Sequence, residues 1–403
     1  MSDVSVNYRG SAIATMDASG TKTLQTEGKY CDDDIEVVYV KPGGGGGDER
    51  PSADENDVIL IDFDGRILYS YSAQEFAALT ELPTLPTVKY PFIQQDGWNW
   101  TLADAKTYVA KYKGLVIGAQ YVTKDSKAHL YVELPSACEF TLVIRIMNSG
   151  SSSGNSITID WGDESQQTVE TGIGRNITKT YTHTYAAKGA YDIAFSSSNP
   201  NYCAESFSFN GYVVAYAHKC ENMNAGAFPV GAYDLIICTG CSGSSGNMIR
   251  NTFTDAVVFP RSYGTANNAN WMQNVRSIRY VSWGKGNIYS ASGYVYNSCS
   301  TLRRICLPEE TTLIGNSTFS GCSTLLRLDV PSGITSIAAN AFASCSSLKE
   351  LHFYPTSPPS VDNANAFTNL PTDCKIYVPS GKLTDYTTAS NYPSNLTYTY
   401  VEE

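Results

Sequence analysis

Ala341-Phe342-Ala343-Ser344-Cys345-Ser346-Ser347-Leu348-Lys349-Glu350-Leu351-His352-Phe353 is the stretch that decides the fold, because it has been written before in the same chain. Tyr296, Phe319 and Phe342 stand 23 residues apart. Cys299, Cys322 and Cys345 keep that step, as do Leu302, Leu325 and Leu348, and then Ile305, Leu328 and Leu351. Leu307, Val330 and Phe353 follow, and Pro308 and Pro331 close the strand. A fixed period of this length marks stacked repeats. One such turn cannot bury its own apolar edge, whereas stacked turns merge their Leu, Ile and Phe columns into one core.

The pattern extends in both directions. Asn251, Val257, Phe259 and Pro260 keep the offsets of Cys322, Leu328, Val330 and Pro331, so Asn takes the Cys slot. Trp271 follows Pro260 as Phe319 follows Pro308, and Ile278, Val281 and Trp283 make the next strand with one residue inserted. A degenerate unit holds Phe367 and ends near Val378-Pro379, for about six units in all. Strand spacing sets each step at roughly 4.8 Å. Cysteines at that spacing could be bridged, but a regular column of three reads as thiols packed like small hydrophobes.

Residues between the apolar ones of each strand should point outward. They are Tyr280, Arg304, Arg327 and Glu350 in one column, and Ser282, Cys306, Asp329 and His352 in the next, with Tyr289 and Tyr294 in nearby loops. Tyr280, Ser282, Tyr289, Tyr294, Arg304, Arg327, Asp329, Glu350 and His352 form the candidate partner-binding face; the alternative is a plain solvated face.

The chain around the repeats has 403 residues, enough for several domains. Only 17% of residues are charged, and 28 are tyrosines. That balance suits strand- and turn-rich folds, and Tyr also suits contact surfaces. The formal charge is −11 with no basic stripe, which argues against nucleic acid and anionic membranes as partners. No apolar run is long enough to span a bilayer, and Met-Ser-Asp-Val-Ser opens no secretory signal. The 11 cysteines are an odd number scattered through a long chain, unlike a disulfide scaffold.

The expected architecture is multidomain and mainly β. Residues 1–41 form a small N-terminal β unit for attachment, with strands at Leu24 and Ile35–Val40 and turns at Gly28 and Asp32-Asp33-Asp34. Residues 42–57, with five consecutive glycines, form a flexible linker. Residues 58–134 form a small α+β module. There Asp64-Gly65 turns a hairpin, Ser72 with Glu75 makes a capping box, and Thr101 with Asp104 caps a helix over Leu102–Tyr112. Its later strands are set around Leu115-Val116-Ile117, Ala119–Val122 and His129–Leu134. Residues 135–211 form a β-sandwich, and 212–403 the solenoid with its cap.

Three stretches resemble known families. Ala341-Phe342-x-x-Cys345-x-x-Leu348 resembles the BspA-type leucine-rich repeat, and Lys375-Ile376-Tyr377-Val378-Pro379-Ser380-Gly381 resembles that family's closing unit. Ile159-Asp160-Trp161-Gly162-Asp163, with His183-Thr184-Tyr185 and Gly189-Ala190-Tyr191-Asp192-Ile193, is similar to a PKD-type sandwich, although Glu164 stands where that family has Gly. Such modules serve as spacers or adhesive domains. Asp96-Gly97-Trp98-Asn99-Trp100-Thr101-Leu102-Ala103-Asp104-Ala105, and the opening Gly20-Thr21-Lys22-Thr23-Leu24, are similar to tail-region proteins of prophages from gut Firmicutes.

Candidate chemistry is sparse. Val58–Asp62-Phe63-Asp64-Gly65 imitates the first motif of haloacid-dehalogenase-type phosphatases, but Arg66 departs from it and an Asp-Gly hairpin explains it. Cys238 and Cys241, with His218 and Cys220 upstream, make zinc conceivable, without the second tight pair of a finger. Asp160, Asp163 and Glu164 read as turn residues rather than a calcium site. No P-loop or Gly-x-Ser-x-Gly elbow occurs. The expectation is therefore no enzyme, no cofactor and no metal.

The resemblances imply a phage virion protein of tail, baseplate or fibre, made in the host cytoplasm and released by lysis. Its N-terminal region would meet other tail or baseplate proteins, and its repeats a host-surface glycan or protein. Tail symmetry implies a homo-oligomer, with a trimer as one form. The alternatives are a structural or decoration virion protein, a bacterial surface adhesin, and a tail-associated polysaccharide depolymerase.

Overall fold

The structure is a computed structural model. It describes residues 57–146 save 64, 89 and 126, residues 153–210 save 200 and 201, residues 256–259, and residues 277–403 save 287, 290–292 and 395. It gives the backbone alone of Asp3–Tyr8, Ser11–Met16, Lys22–Leu24, Ile35–Val40, Tyr212–Lys219, Leu235–Thr239, Thr265–Ala266 and Ile288–Tyr289. The glycine linker up to 56, the Asp32–Asp34 turn, Cys220, Cys241, Asn251 and Trp271 lie outside the described residues.

The chain divides into two compact units, Met1–Pro51 and Ser52–Glu403. In the first, four antiparallel strands run in the order Lys22–Leu24, Ser11–Met16, Asp3–Tyr8, Ile35–Val40. The second unit begins with the α+β module. Its sheet runs Ile67–Tyr71, Val58–Ile61, Leu115–Thr123, Ile93–Trp98. Val58–Ile61 pairs antiparallel with Ile67–Tyr71, the expected hairpin, and parallel with Leu115–Thr123. All four residues of Val58–Ile61 are buried, as befits a central strand.

Both helix starts form as the capping pattern requires. Ser72 and Glu75 close a reciprocal capping box on the helix Ala73–Ala78. The Thr101 side chain accepts from the Asp104 amide at the head of the helix Leu102–Tyr112. That helix buries Ala105, Tyr108, Val109 and Tyr112, one face at three-and-four spacing, and ends where Lys113 turns left-handed.

Two expected strands are one: Leu115–Thr123 runs unbroken through Gly118. A β-carbon at Gly118 would overlap the Val258 side chain of the solenoid, so the glycine serves a close approach rather than a break.

The boundary expected between 134 and 135 is displaced. Ala128–Leu134 pairs with Gly189–Ser197 and Tyr212–Lys219, and so belongs to the sandwich. Its alternate residues Ala128, Leu130, Val132 and Leu134 are buried in the sandwich core, which decides its allegiance. The boundary expected at 211 is likewise crossed by the sheet. Its six strands run Thr168–Ile173, Asn155–Asp160, Gly189–Ser197, Ala128–Leu134, Tyr212–Lys219, Leu235–Thr239. The last pair is parallel, so the antiparallel sandwich passes into parallel stacking within one sheet. The facing sheet is Ile177–Tyr185, Cys138–Ile146, Tyr202–Ser208. Trp161 lies buried between the two; its Nε1 donates to Thr168 Oγ1 at 3.0 Å, and its carbonyl accepts the Tyr185 hydroxyl at 2.7 Å. Gly162 adopts φ +76° and passes so close to Asp192 that a β-carbon would sit 2.6 Å from its carbonyl oxygen.

The rest of the chain is a parallel solenoid. Arg327–Val330, Glu350–Phe353, Lys375–Val378 and Thr399–Glu402 stack in register, preceded by Ala256–Val258, Tyr280–Ser282 and Arg304–Ile305. A second column holds Leu313–Ile314, Ser336–Ile337 and Ser360–Val361. The stack thus runs one strand beyond the unit expected to end near Pro379. Rings stack through the core from Tyr296 to Phe319 (5.3 Å between centroids), Phe342 (6.1 Å) and Phe367 (5.4 Å).

The cysteine column is built of buried thiols without disulfides, as read from the repeat. Cys322 Sγ donates to the Tyr296 carbonyl and Cys345 Sγ to the Phe319 carbonyl, each at 3.2 Å and each one coil back. Three successive coils also turn through left-handed backbone at two recurring places: Tyr294, Ser317 and Asn340, and Ser298, Gly321 and Ser344. Ser, Asn and Gly at those steps are the signature of the turn. Tyr386 caps the end, fully buried with its hydroxyl donated to the Pro355 carbonyl at 2.6 Å.

Candidate functional site

Along the main sheet of the solenoid, Val281, Ile305, Leu328, Leu351 and Ile376 point into the core, so their neighbours point outward. The outward columns are the ones read from sequence. What covers them is the chain itself: the α+β module lies across this face.

The edge of the module begins with Trp98-Asn99-Trp100. Asn99 is fully buried, and its amide donates to the Phe259 carbonyl at 3.0 Å and to Ser282 Oγ at 2.9 Å. Its Oδ1 accepts the Gly118 amide at 2.8 Å, so one side chain ties the module to itself and to two coils. Trp100 Nε1 donates to the Trp283 carbonyl at 2.7 Å. From the helix Leu102–Tyr112, the Tyr108 hydroxyl donates to the Leu307 carbonyl at 2.9 Å. The Tyr112 carbonyl, at the negative end of that helix, accepts from Arg327 Nη2 at 3.1 Å and from the Tyr354 hydroxyl at 3.2 Å. Lys111 bridges to Glu309 at 3.5 Å and Lys113 to Glu403 at 3.4 Å.

Most of the candidate partner face therefore closes onto the module or onto itself. Tyr280 is buried. Ser282 is buried and donates to the Val116 carbonyl at 2.7 Å. Arg304 donates to the Asp57 carbonyl, and burial pulls its pKa down. Arg327 pairs with Asp329 at 2.8 Å; burial opposes its charge, but Asp329 outweighs it and raises the pKa. Asp329 is itself buried, within 3.3 Å of the Tyr354 hydroxyl. His352 is buried between Glu403 (2.7 Å) and Glu350 (3.2 Å), stacked on Tyr377 at 4.0 Å. Glu350 is half-buried, held below the usual carboxylate range first by that histidine. The side chain of Tyr289 lies outside the described residues. Among the described side chains of the set, Tyr294 alone is plainly exposed, at 40%.

The face is therefore a polar seam inside one body. Asn99, Trp100, Tyr108 and Tyr112, which carry the module's side, were not singled out as partners from sequence. Their one visible signal is the crowding of Trp98, Asn99 and Trp100 at a strand end.

Other candidates resolve into structure. Asp62 is buried and accepts from the Tyr121 hydroxyl at 2.7 Å, from Arg66 at 3.0 Å and from the Phe63 amide at 2.9 Å, which are a hairpin's needs rather than a nucleophile's. Asp160 accepts from the Gly162 amide and from Gln167, and Asp163 from Ser165 and His183, so both serve the turn. Burial pushes the thiols of Cys306 to about 11 and of Cys345 and Cys374 to about 12, which keeps them protonated and unreactive. His218 and Cys238 sit opposite each other on the paired strands Tyr212–Lys219 and Leu235–Thr239, but their side chains are outside the described residues.

A family model for BspA-type leucine-rich repeat regions matches residues 265–396 in six copies. A crystal structure of a leucine-rich repeat protein from Bacteroides ovatus is also similar, at 17% identity over 46% of this chain, with a TM-score of 0.32. The chain spans 54% of that protein's length. No curated protein matches the chain. The C-terminal solenoid is thus built of BspA-type leucine-rich repeats.

Proposed function

We propose that this chain is a non-enzymatic binding protein whose repeat solenoid engages a surface glycan or protein. The observation that carries the reading is the six-copy repeat itself, stacked into a scaffold whose described thiols are buried and whose outward carboxylates and described histidine are tied to one another. The module's cover moves the expected contact face. Binding falls to the surfaces away from the main sheet, where Tyr294 is exposed.

The finer reading is a virion protein of a phage tail region. In it the unit Met1–Pro51 attaches to tail or baseplate proteins, the PKD-like sandwich is a spacer, and the chain works as a homo-oligomer. Its support is the likeness of the Asp96–Ala105 stretch and of the Trp161-Gly162-Asp163 turn to such modules. A bacterial surface adhesin is the second reading, favoured by the repeat match alone. Labelled full-length chain should bind cells of a host bacterium with saturation. Absence of binding at high concentration would remove host binding and the adhesin reading and leave a structural virion role. Proteomics of purified virions separates the first reading from the second.

A further inference from the structure

Where the α+β module joins the sandwich, a histidine stands between two acids. His129 lies at the start of the strand Ala128–Leu134 and is buried. Its Nε2 is 2.9 Å from Asp125 Oδ1 in the joining loop. Its Nδ1 is 2.8 Å from Asp192 Oδ1 on the sandwich strand Gly189–Ser197. The ring lies flat on Phe92 of the module, 4.8 Å between centroids and 7° from parallel. One side chain thus touches module, loop and sandwich.

A carboxylate only accepts hydrogen bonds, and a neutral imidazole has one N–H. A neutral ring would satisfy one acid and turn a lone pair on the other. Only the imidazolium donates to both. The groups that face it are Asp125 and Asp192, with Lys127 beside Asp125 in the loop. Phe92 and Tyr90 from the module, and Tyr131 from its own strand, add uncharged rings. Side chains of the paired strand Tyr212–Lys219 are outside the described residues.

We propose that His129 is a proton-operated latch on the joint between the module and the sandwich, closed while the imidazolium is charged and released when it loses its proton. Release frees Asp125 and the edge at Phe92, while the module stays on the solenoid through its own hydrogen bonds. Burial works against the charge, yet the two carboxylates hold the His129 pKa above its ordinary value, and His129 in turn helps hold Asp125 below its own. The latch is therefore closed below about pH 6.5, the unfolded histidine's pKa, down to the acid range where Asp125 takes up a proton, and it opens as pH rises through the higher folded value.

The test uses the full chain and two readouts. Ring 15N spectra, assigned with His129→Gln, follow the His129 proton. Amide exchange, corrected for its intrinsic pH dependence, follows residues 122–128 and 90–94. The proposal expects protection there to fall at least tenfold in step with the ring titration. Asp192→Asn, whose amide can donate to a neutral ring and leave its remaining N–H for Asp125, should abolish that fall while the solenoid peptides stay protected. A neutral His129 ring at pH 6, protection unchanged through its titration, or an identical profile in Asp192→Asn would overturn it.

Discussion

The side-chain amide of Asn99 donates to the main-chain carbonyl of Phe259, 3.0 Å away and 160 residues on. A fully buried carboxamide spends both ends on the seam between module and solenoid, taking the Gly118 amide on one side and Ser282 and Phe259 on the other. Removing it strands several buried groups at once. Asn99→Ala should cost about 3 kcal/mol of unfolding free energy, read by urea denaturation. A loss below about 1 kcal/mol would mean that the seam is loosely made.

The ring stack makes a second prediction. Phe319 lies between Tyr296 and Phe342, fully buried, in the middle of the repeat. Phe319→Ala should cost about 3–5 kcal/mol, whereas Tyr294→Ala, at an exposed position, should be near neutral. Thermal melts of the two variants, compared with the parent, decide the order.

The thiol column should be chemically silent. With burial pushing Cys345 to about 12 and Cys322 well above its ordinary value, alkylation at pH 8 should leave both unlabelled in the folded chain and label them in denaturant. Site-resolved mass spectrometry after iodoacetamide measures this. Rapid labelling of the folded chain would show that the coils open.

Acid should weaken the fold. Asp125, Asp163, Glu170, Glu309 and Glu350 are all held below their ordinary values. For depressed carboxylates the stability is present above the unfolded pKa and is lost as pH falls through the folded one. The melting temperature should therefore hold down to about pH 4 and then drop steadily towards pH 2. A melting temperature that is flat over that range would contradict these pairings.

The repeat was legible because its signal is arithmetic: Tyr296, Phe319 and Phe342 recur at one spacing, and only stacking uses such recurrence. The outward columns were legible for the same reason, since alternation alone places Arg304, Arg327 and Glu350 outside the core. What covers them was not legible. Spacing along a strand says which way a side chain points and nothing of what arrives from elsewhere, and Trp98-Asn99-Trp100 lies far from the repeats in sequence. The sandwich boundary failed for a related reason. Ala128–Leu134 alternates equally well for either neighbour, and its long-range pairing with Gly189–Ser197 decides between them.

The central claim is that the chain's own α+β module occupies the main sheet face of the solenoid. Zero-length carbodiimide cross-linking of the full chain, read by mass spectrometry, tests it most directly. Lys113 with Glu403 (3.4 Å) and Lys111 with Glu309 (3.5 Å) should join across the seam as readily as Lys285 with Glu309 (2.9 Å) joins within the solenoid. The Lys285–Glu309 link appearing without either of the others would contradict the account.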